Sequence, residues 1–263
     1  MKKILLLFAL ILSLALVGCG SEKDENKLVV GASPEPHSKL LELVKDDLKE
    51  EGVELEIKDY SDYVQPNLAV NDGDIDANFF QHEPYLDNFV EERNVDLVSV
   101  GKVHIEPMGL YSKKIKSLDE LEDGAKISIP NDPTNGGRAL LLLQDNGIIK
   151  LDEKAGFNAT EKDIVDNPKN IEIQALEAAQ LSRTLDDVDA SIINGNYALE
   201  ADLNPVEDAL ILERKDSPYA NILVVKKGNE NNENIQKLLK ALQSDKVKNY
   251  IEENYDGGVI PSF

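Results

Sequence analysis

Short apolar segments alternate with amphipathic segments along almost the whole chain from residue 27 onwards. Segments that favour strands lie at 27–31, 53–57, 75–80, 96–103, 126–130, 171–173, 188–193 and 221–225. Segments with apolar residues at helical spacing lie between them, at 38–50, 63–70, 83–93, 138–144, 177–185, 197–203 and 231–242. This alternation is typical of α/β proteins, so it predicts a mostly parallel sheet covered by helices.

A short motif recurs in the two halves of the chain. Residues 73–78 (GDIDAN) resemble residues 186–191 (DDVDAS), and each segment leads into polar or aromatic residues. Ligands of open α/β sheets bind beyond the carboxyl ends of the strands. Two similar lobes with these strand ends facing each other would form a cleft between them. The alternative is that so short a motif recurs by chance.

The first residues of the chain predict export and lipid attachment. A basic start precedes an apolar run at 4–17, which is typical of a secretory signal and short for a membrane span. Residues 16–19 (LVGC) resemble the bacterial lipobox, in which the cysteine is acylated. We therefore expect a signal peptide at 1–18 and, at 19–27, the acylated Cys19 followed by a polar tether. An ordinary signal peptide with an incidental cysteine is the alternative.

Composition and motifs exclude several classes of function. The formal net charge of −22, from 28 Lys+Arg and 50 Asp+Glu, argues against a nucleic-acid partner. Cys19 is the single cysteine, so an intramolecular disulfide is excluded. The sequence contains neither the G-x-S-x-G motif nor the H-E-x-x-H motif of known hydrolases. We therefore predict a protein that is not an enzyme and has no cofactor.

An anion site is predicted where the segment 129–138 (IPNDPTNGGR) leads into an apolar helix. Thr134 or Asn135 is a suitable cap for that helix, and the free backbone N–H groups of a helix start attract anions. The positive charge of Arg138 is unfavourable near the start of a helix, and an anion bound beside it would compensate for this. The guanidinium group has the geometry to bind a carboxylate through two hydrogen bonds. The alternative is a surface arginine paired with Asp132.

Aromatic residues are concentrated in the segments 59–67 and 78–85, although only 5% of the chain is aromatic. Tyr63, Phe80, His82 and Tyr85 belong to this group, and an aromatic wall suits an apolar or thioether side chain. Phe79 precedes Phe80, and strand alternation directs these two rings to opposite faces, so at most one faces a ligand. We predict no metal site, because His82 has no partner at a recognised metal-ligand spacing.

A third group contains asparagines near strand ends, in the segments 193–197 and 217–221. An asparagine side chain both donates and accepts hydrogen bonds, so it suits the charged head group of an amino acid. Asn194 and Asn221 are the candidates. The alternative is that such asparagines are turn residues, which suits Asn196 better than Asn194.

Longer motifs resemble the methionine-binding lipoproteins, the substrate-binding components of methionine ABC importers. Besides the lipobox, the matching segments are DYVQPN (62–67), DAN (76–78), FQH (80–82), PYLD (84–87), YSKKIKSLDEL (111–121), PNDPTN (130–135), GRALLLLQ (137–144) and SPY with a following Asn (217–221). The match extends from the signal segment to the C-terminus.

The resemblance implies a two-lobed periplasmic-binding-protein fold of type II-like architecture, with the ligand cleft between the lobes and two crossover strands. We expect one lobe at 28–110 plus 207–263 and the other at 111–206. The resemblance also implies roles in ligand binding. Arg138 would hold the carboxylate of methionine, and Asn194 and Asn221 the amino-acid head group. The expected pocket residues are Tyr63, Phe80 and His82, with Asn135, Tyr85, Asn78 and Glu106 as further candidates.

The implied function is binding of L-methionine, with D-methionine or derivatives as further ligands, and its delivery to a membrane permease driven by an ATPase. The protein would be a monomer on the outer face of the cell membrane, anchored through the lipid on Cys19. One alternative is a surface lipoprotein that binds an envelope or host macromolecule. Others are a binding protein for another small amino acid and a secreted hydrolase acting through His82.

Overall fold

A computed structural model describes residues 26–263 of the chain. The predicted signal peptide at 1–18 and the predicted lipid attachment at Cys19 lie outside the described residues. Among the residues that are described, no helix is both long enough and apolar enough to cross a membrane.

Strands and helices alternate over the described part of the chain, as the hydrophobic pattern predicts. The strands are β1 (Lys27–Ala32), β2 (Glu54–Asp59), β3 (Ala77–His82), β4 (Leu97–Ile105), β5 (Gly109–Tyr111), β6 (Lys126–Pro130), β7 (Lys150–Leu151), β8 (Ile164–Asp166), β9 (Glu172–Leu176), β10 (Ala190–Ile193), β11 (Ile211–Leu212), β12 (Ala220–Lys226) and β13 (Ile260–Pro261). The α-helices are α1 (Lys39–Glu50), α2 (Gln65–Asp72), α3 (Glu83–Arg93), α4 (Pro133–Asp145), α5 (Gly195–Glu200), α6 (Pro205–Asp208), α7 (Glu233–Leu242) and α8 (Asp245–Asn254). Shorter helical turns are Pro34–Ser38, Leu118–Glu120, Gly156–Asn158, Glu161–Asp163 and Ala178–Asp186.

The strands form two main sheets and a small ribbon of β7 and β8. The order in the first sheet is β13-β4-β12-β3-β1-β2, and the order in the second is β11-β5-β10-β6-β9. Strand β1 runs parallel to β2 and β3, and β6 runs parallel to β9 and β10. Each sheet therefore contains the parallel strands that the alternating pattern predicts.

The expectation of mostly parallel sheets is nevertheless wrong, because antiparallel pairs complete both of them. Strand β12 is antiparallel to β3 and β4, and β5 is antiparallel to β10 and β11. The reason lies in the two passages between the sheets. The chain passes from β4 in the first sheet to β5 in the second, and it returns from β11 in the second sheet to β12 in the first. In each sheet the outgoing strand and the returning strand are neighbours and run in opposite directions.

The chain passes between the sheets at two places, after Ile105 and after Leu212. It enters the second sheet at Gly109 and re-enters the first sheet at Ala220. The predicted lobe boundaries at 110 and 206 lie near these passages and stay a prediction.

Each sheet has a hydrophobic core of its own. Helix α1 packs Leu40, Leu41, Val44 and Leu48 against the first sheet, and these side chains are at most 1% exposed. They recur at the spacing of one helix face, which explains why this segment folds as an amphipathic helix. In the second sheet, helix α4 is buried along most of its length. The two cores hold each sheet rigid on its own side of the space between them.

Candidate functional site

A small cavity lies between the two sheets, with a volume of about 20 Å³. Its lining comes from both sides: Tyr63, Phe80, Gln81, His82, Tyr85, Glu106, Asn135, Arg138, Asn194, Gly195, Asn196 and Asn221. The structure thus brings together all the expected site residues, namely Tyr63, Phe80, His82, Arg138, Asn194 and Asn221, and all of the further candidates except Asn78. A cavity of this size holds about one water molecule, so a larger ligand requires the side chains around it to move apart.

Strand ends position most of these side chains. Strand β3 ends at His82, and β10 ends at Ile193 directly before Asn194. Asn221 follows the first residue of β12 and is paired across the sheet with both His82 and His104. The convergence agrees with the general placement of ligands at strand ends in open α/β sheets.

Asn78, the remaining candidate, does not line the cavity. Its side chain is fully buried and donates hydrogen bonds to the Asn67 side chain at 2.8 Å and to the Pro66 carbonyl at 3.2 Å. Gln81 also donates to Asn67, at 2.6 Å. Asn78 therefore belongs to an amide cluster that fixes the segment between α2 and β3.

Helix α4 carries two cavity residues and begins earlier than the sequence predicts. Its N-cap is Asp132, which accepts a hydrogen bond from the backbone N–H of Asn135 at 2.9 Å, and Pro133 opens the helix. The expectation that Thr134 or Asn135 caps the helix is wrong, because the aspartate before the proline fills that position. Arg138 consequently lies in the second helical turn, where its effect on the helix dipole is smaller.

Arg138 is buried and already has a carboxylate partner. Its Nε and Nη2 donate to the two oxygens of Glu213, at 2.9 and 2.5 Å, and Nη2 also donates to the Glu106 carbonyl at 2.8 Å. The Tyr219 ring lies 4.3 Å from the guanidinium carbon. Burial acts to lower the pKa of Arg138, but the charge of Glu213 outweighs it and the pKa is raised.

The alternative that Arg138 is a surface residue paired with Asp132 is therefore wrong. Arg138 is 4% exposed, its partner is Glu213, and Asp132 caps the helix. Within the described residues, Nη1 makes no hydrogen bond, so the guanidinium keeps one donor group for a ligand.

A chain of hydrogen bonds crosses the cavity through Asn135. The Asn135 Oδ1 atom accepts from Asn194 Nδ2 at 2.9 Å and lies 3.1 Å from His82 Nε2, while its Nδ2 donates to Asp132. The Asn194 Oδ1 atom is buried and has no partner among the described residues. An unpaired buried carbonyl costs free energy, so Asn194 presents an acceptor ready for a ligand donor.

His82 is neutral in this setting. Burial lowers its pKa to about 3, and the charge of Arg138 acts in the same direction. Its Nδ1 accepts from the backbone N–H of Tyr85 at 3.2 Å, which assigns the proton to Nε2 and makes His82 a donor to Asn135. His82 thus positions an amide.

We expect His82→Gln to reduce the loss of stability in acid. The folded pKa is about 3 against an ordinary value of 6.5, so below pH 6.5 the unfolded chain binds the proton and the fold does not. Stability therefore falls as the pH drops from about 6.5 towards 3, by about 2 kcal/mol at pH 5. Urea denaturation at pH 7.5 and pH 5 should show a pH-dependent loss that is smaller by about this amount in the variant. An equal loss in both proteins would contradict the assignment.

Aromatic rings form the opposite wall of the cavity. The Tyr63 ring lies 5.7 Å from Phe80, 5.8 Å from Tyr85 and 5.0 Å from Tyr197 between ring centroids. Phe79 is fully buried in the core of the first sheet, as strand alternation predicts for one ring of the Phe79–Phe80 pair. Tyr197 completes the cluster, although the sequence argument did not select it.

Behind the cavity wall, His37 and His104 lie against the lining residue Glu106. The Glu106 Oε1 atom is 2.7 Å from His104 Nε2 and 3.2 Å from His37 Nε2. His37 Nε2 is also 3.1 Å from Asn221 Oδ1, which leaves the amide NH₂ of Asn221 for other partners. Burial raises the pKa of Glu106. These are metal-ligating residue types, and sequence spacing gave no sign of their proximity.

Comparisons with known proteins point to one family. The sequence profile of the NlpA lipoprotein family matches residues 28–263. The D-methionine-binding lipoprotein MetQ of Salmonella typhimurium is 48% identical over 256 residues, which cover 96% of this chain and 94% of that protein.

Two solved structures are also similar. A nutrient-binding protein from Burkholderia cenocepacia bound to methionine has 48% identity and a TM-score of 0.87, with 90% of this chain and 100% of that chain covered. A periplasmic substrate-binding protein of an ABC transporter from Coxiella burnetii has 45% identity and a TM-score of 0.86, with 89% and 100% covered. The predicted α/β fold class with two lobes is confirmed by these similarities.

Proposed function

The chain belongs to the NlpA lipoprotein family, and from that premise we propose that it binds L-methionine between its two sheets and delivers it to an ABC permease. The bound methionine in the related protein from Burkholderia cenocepacia supports this choice of ligand. Relatives named for D-methionine binding make the D isomer a second ligand to test. In this proposal the chain binds and delivers its ligand and catalyses no reaction.

One observation carries the proposal. Counting only residues 26–263, a buried arginine with a free donor and a buried amide carbonyl without a partner face the same small cavity. In the proposed complex, Arg138 Nη1 and the NH₂ group of Asn221 donate to the carboxylate of methionine. The ammonium group donates to Asn194 Oδ1 and approaches the carboxylate of Glu106. These pairs match an α-amino acid charge for charge.

The side chain of methionine would lie against the aromatic wall formed by Tyr63, Phe80 and Tyr85. A thioether near an aromatic ring gains ~0.3–1.5 kcal/mol, more than an aliphatic chain of the same size gains from the same ring. His82 and Asn135 would act by positioning, because their hydrogen bond holds Asn194 in place. Leucine would fit less well since it is branched and lacks the sulfur.

Entry of the ligand would require the two sides of the cavity to separate. Tyr63 on the first side donates to Asn196 on the second at 2.5 Å, and the Tyr197 hydroxyl donates to the Ser61 carbonyl at 3.1 Å. We propose that these bonds break on opening and re-form around the ligand, with lobes at 28–110 plus 207–263 and at 111–206. A ligand that contacts both lobes stabilises the closed form.

The family also supports a location and partners for the chain. Its relatives are membrane lipoproteins. We propose that Cys19 carries the lipid, that the body is a monomer on the outer face of the cell membrane, and that the permease works with a cytoplasmic ATPase. Binding of a macromolecule as the main function lacks an observation in its favour.

Calorimetric titration of residues 20–263, refolded from denaturant to remove any carried ligand, tests the proposal. We expect submicromolar binding of L-methionine and no heat from leucine or glutamine, with D-methionine establishing the stereoselectivity. A folded protein that binds none of the four would overturn the ligand assignment. Binding of leucine or glutamine alone would identify a carrier of another amino acid.

The role of Asn194 gives a sharper test. We expect Asn194→Ala to weaken L-methionine binding at least tenfold, because a hydrogen bond to a charged group contributes about 1.5–3 kcal/mol. Asn158→Ala is the matched control, since Asn158 is exposed and does not line the cavity. Calorimetry on both variants should show a loss in the first and none in the second. Equal affinities would remove Asn194 from the site.

A further inference from the structure

The cluster behind the cavity has a composition that the binding of methionine does not require. His37 lies in the helical turn after β1, His104 lies near the end of β4, and Glu106 opens the passage to the second sheet. Both histidines are 0% exposed, and Glu106 is 5% exposed. Imidazole and carboxylate together form a ligand set that suits zinc and its neighbours among the divalent transition metals.

The distances match such a site. The candidate ligand atoms of the three residues all lie within 4.8 Å of one another. Metal–ligand bonds of about 2.0–2.2 Å in a tetrahedral site place neighbouring ligand atoms roughly 3.3–3.5 Å apart. Glu106 Oε1 is 3.2 Å from His37 Nε2 and 2.7 Å from His104 Nε2, so shifts of less than about 1 Å would open a position for an ion between them.

We propose that His37, His104 and Glu106 form a binding site for one divalent transition-metal ion of the zinc class. Asn221 Oδ1, 3.1 Å from His37 Nε2, is positioned to supply a fourth oxygen ligand. This assignment goes beyond the proposed binding of methionine, because His37 and His104 do not line the cavity, whereas Glu106 and Asn221 would be shared by the two sites.

The surroundings support ligation. The Ser33 hydroxyl lies 3.1 Å from His37 Nδ1 and fixes the orientation of that ring, as partners of metal-bound histidines do. The nearby positive charge of Arg138 is compensated by Glu213, so the carboxylate of Glu106 remains available to neutralise a cation. Phe79 packs edge-on against both histidine rings and excludes water from one side of the cluster.

The cavity offers the route of entry. Glu106 and Asn221 line it, and both also contact the histidines, so an ion that enters the open cleft reaches the cluster through these two residues. An ion at this position would be a direct neighbour of the amino-acid head group. The two bound species would therefore influence each other's affinity.

The test uses chelator-treated protein without a polyhistidine tag. We expect calorimetry to show one Zn²⁺ bound per chain with a submicromolar Kd, and Co²⁺ to give the strong visible absorption of a tetrahedral site. Mg²⁺ should not compete, since it prefers six oxygen ligands.

The chain offers a matched control because it contains three histidines. We expect His104→Gln to weaken Zn²⁺ binding at least a hundredfold and His82→Gln, which changes the histidine outside the cluster, to leave it unchanged. Equal Zn²⁺ binding by wild type and His104→Gln would show adsorption to surface carboxylates and overturn the proposal. Absence of the Co²⁺ spectrum from the folded wild type would overturn it without any variant. L-methionine titration of the same samples reports separately on the proposed function.

Discussion

Arg138→Gln is expected to weaken L-methionine binding at least a hundredfold and to destabilise the fold by roughly 3–5 kcal/mol. The first effect follows from loss of the donor proposed for the ligand carboxylate. The second follows from Glu213, whose two carboxylate oxygens are both engaged by the guanidinium and would be left without that cation. Calorimetry and urea denaturation measure the two effects on the same sample.

A double variant separates these effects. Changing Glu213 to Gln together with Arg138→Gln removes the stranded carboxylate, so most of the lost stability should return. Binding should not return, because the donor for the ligand is still absent. If the double variant recovers both stability and affinity, Arg138 supports the fold alone and the carboxylate of the ligand lies elsewhere.

Gly137→Ala is expected to destabilise the protein by about 3 kcal/mol, at the upper end for overpacking. A Cβ atom on Gly137 would lie 2.2 Å from the carbonyl oxygen of Phe157 and 3.0 Å from the backbone nitrogen of Ala159. Backbone atoms cannot turn aside as a flexible side chain does, so α4 must move as a whole. Arg138 follows directly and would move with it, so affinity for methionine should fall as well.

Its neighbour provides the control. A Cβ atom on Gly136 would meet one backbone oxygen, that of Pro130, at 3.0 Å. A small adjustment relieves that contact, and alanine favours a helix over glycine by about 1 kcal/mol. Gly136→Ala should therefore be close to neutral in thermal denaturation. Similar melting temperatures for the two variants would contradict the close approach at Gly137.

Strand ends explain why the sequence alone identified most of the cavity. His82 and Asn194 lie at the carboxyl ends of strands that hydrophobic patterning reveals, where ligands of α/β sheets bind. Asn221 lies at the start of β12, which is antiparallel to β3, so it pairs with His82 at the same edge. Arg138 is predicted as a ligand residue because a positive charge near the start of a helix is unfavourable without an anion beside it. The resemblance to a known family connected these residues to one ligand.

Other features had no local signal. Glu213 follows β11, a strand of only two residues, and its pairing with Arg138 spans 75 positions of the chain. The antiparallel direction of β12 depends on how the chain returns from the second sheet, which hydrophobic patterning does not encode. His37 and His104 come together only because the first sheet brings the turn after β1 and the end of β4 to the same edge. Each of these depends on tertiary contacts between distant segments.

Strand β12 lies between β3 and β4 in the interior of the first sheet, although the whole second sheet precedes it in the chain. The strands of the second sheet are contiguous, from Gly109 to Leu212. During synthesis or export, the second sheet can therefore assemble while β3 and β4 still lack the strand that joins them. Until residues 220–226 arrive, the edges of β3 and β4 that pair with β12 lack their hydrogen-bond partners. Completion of the first sheet therefore waits for the last sixth of the chain, and until then the open strand edges are sites where another chain could pair.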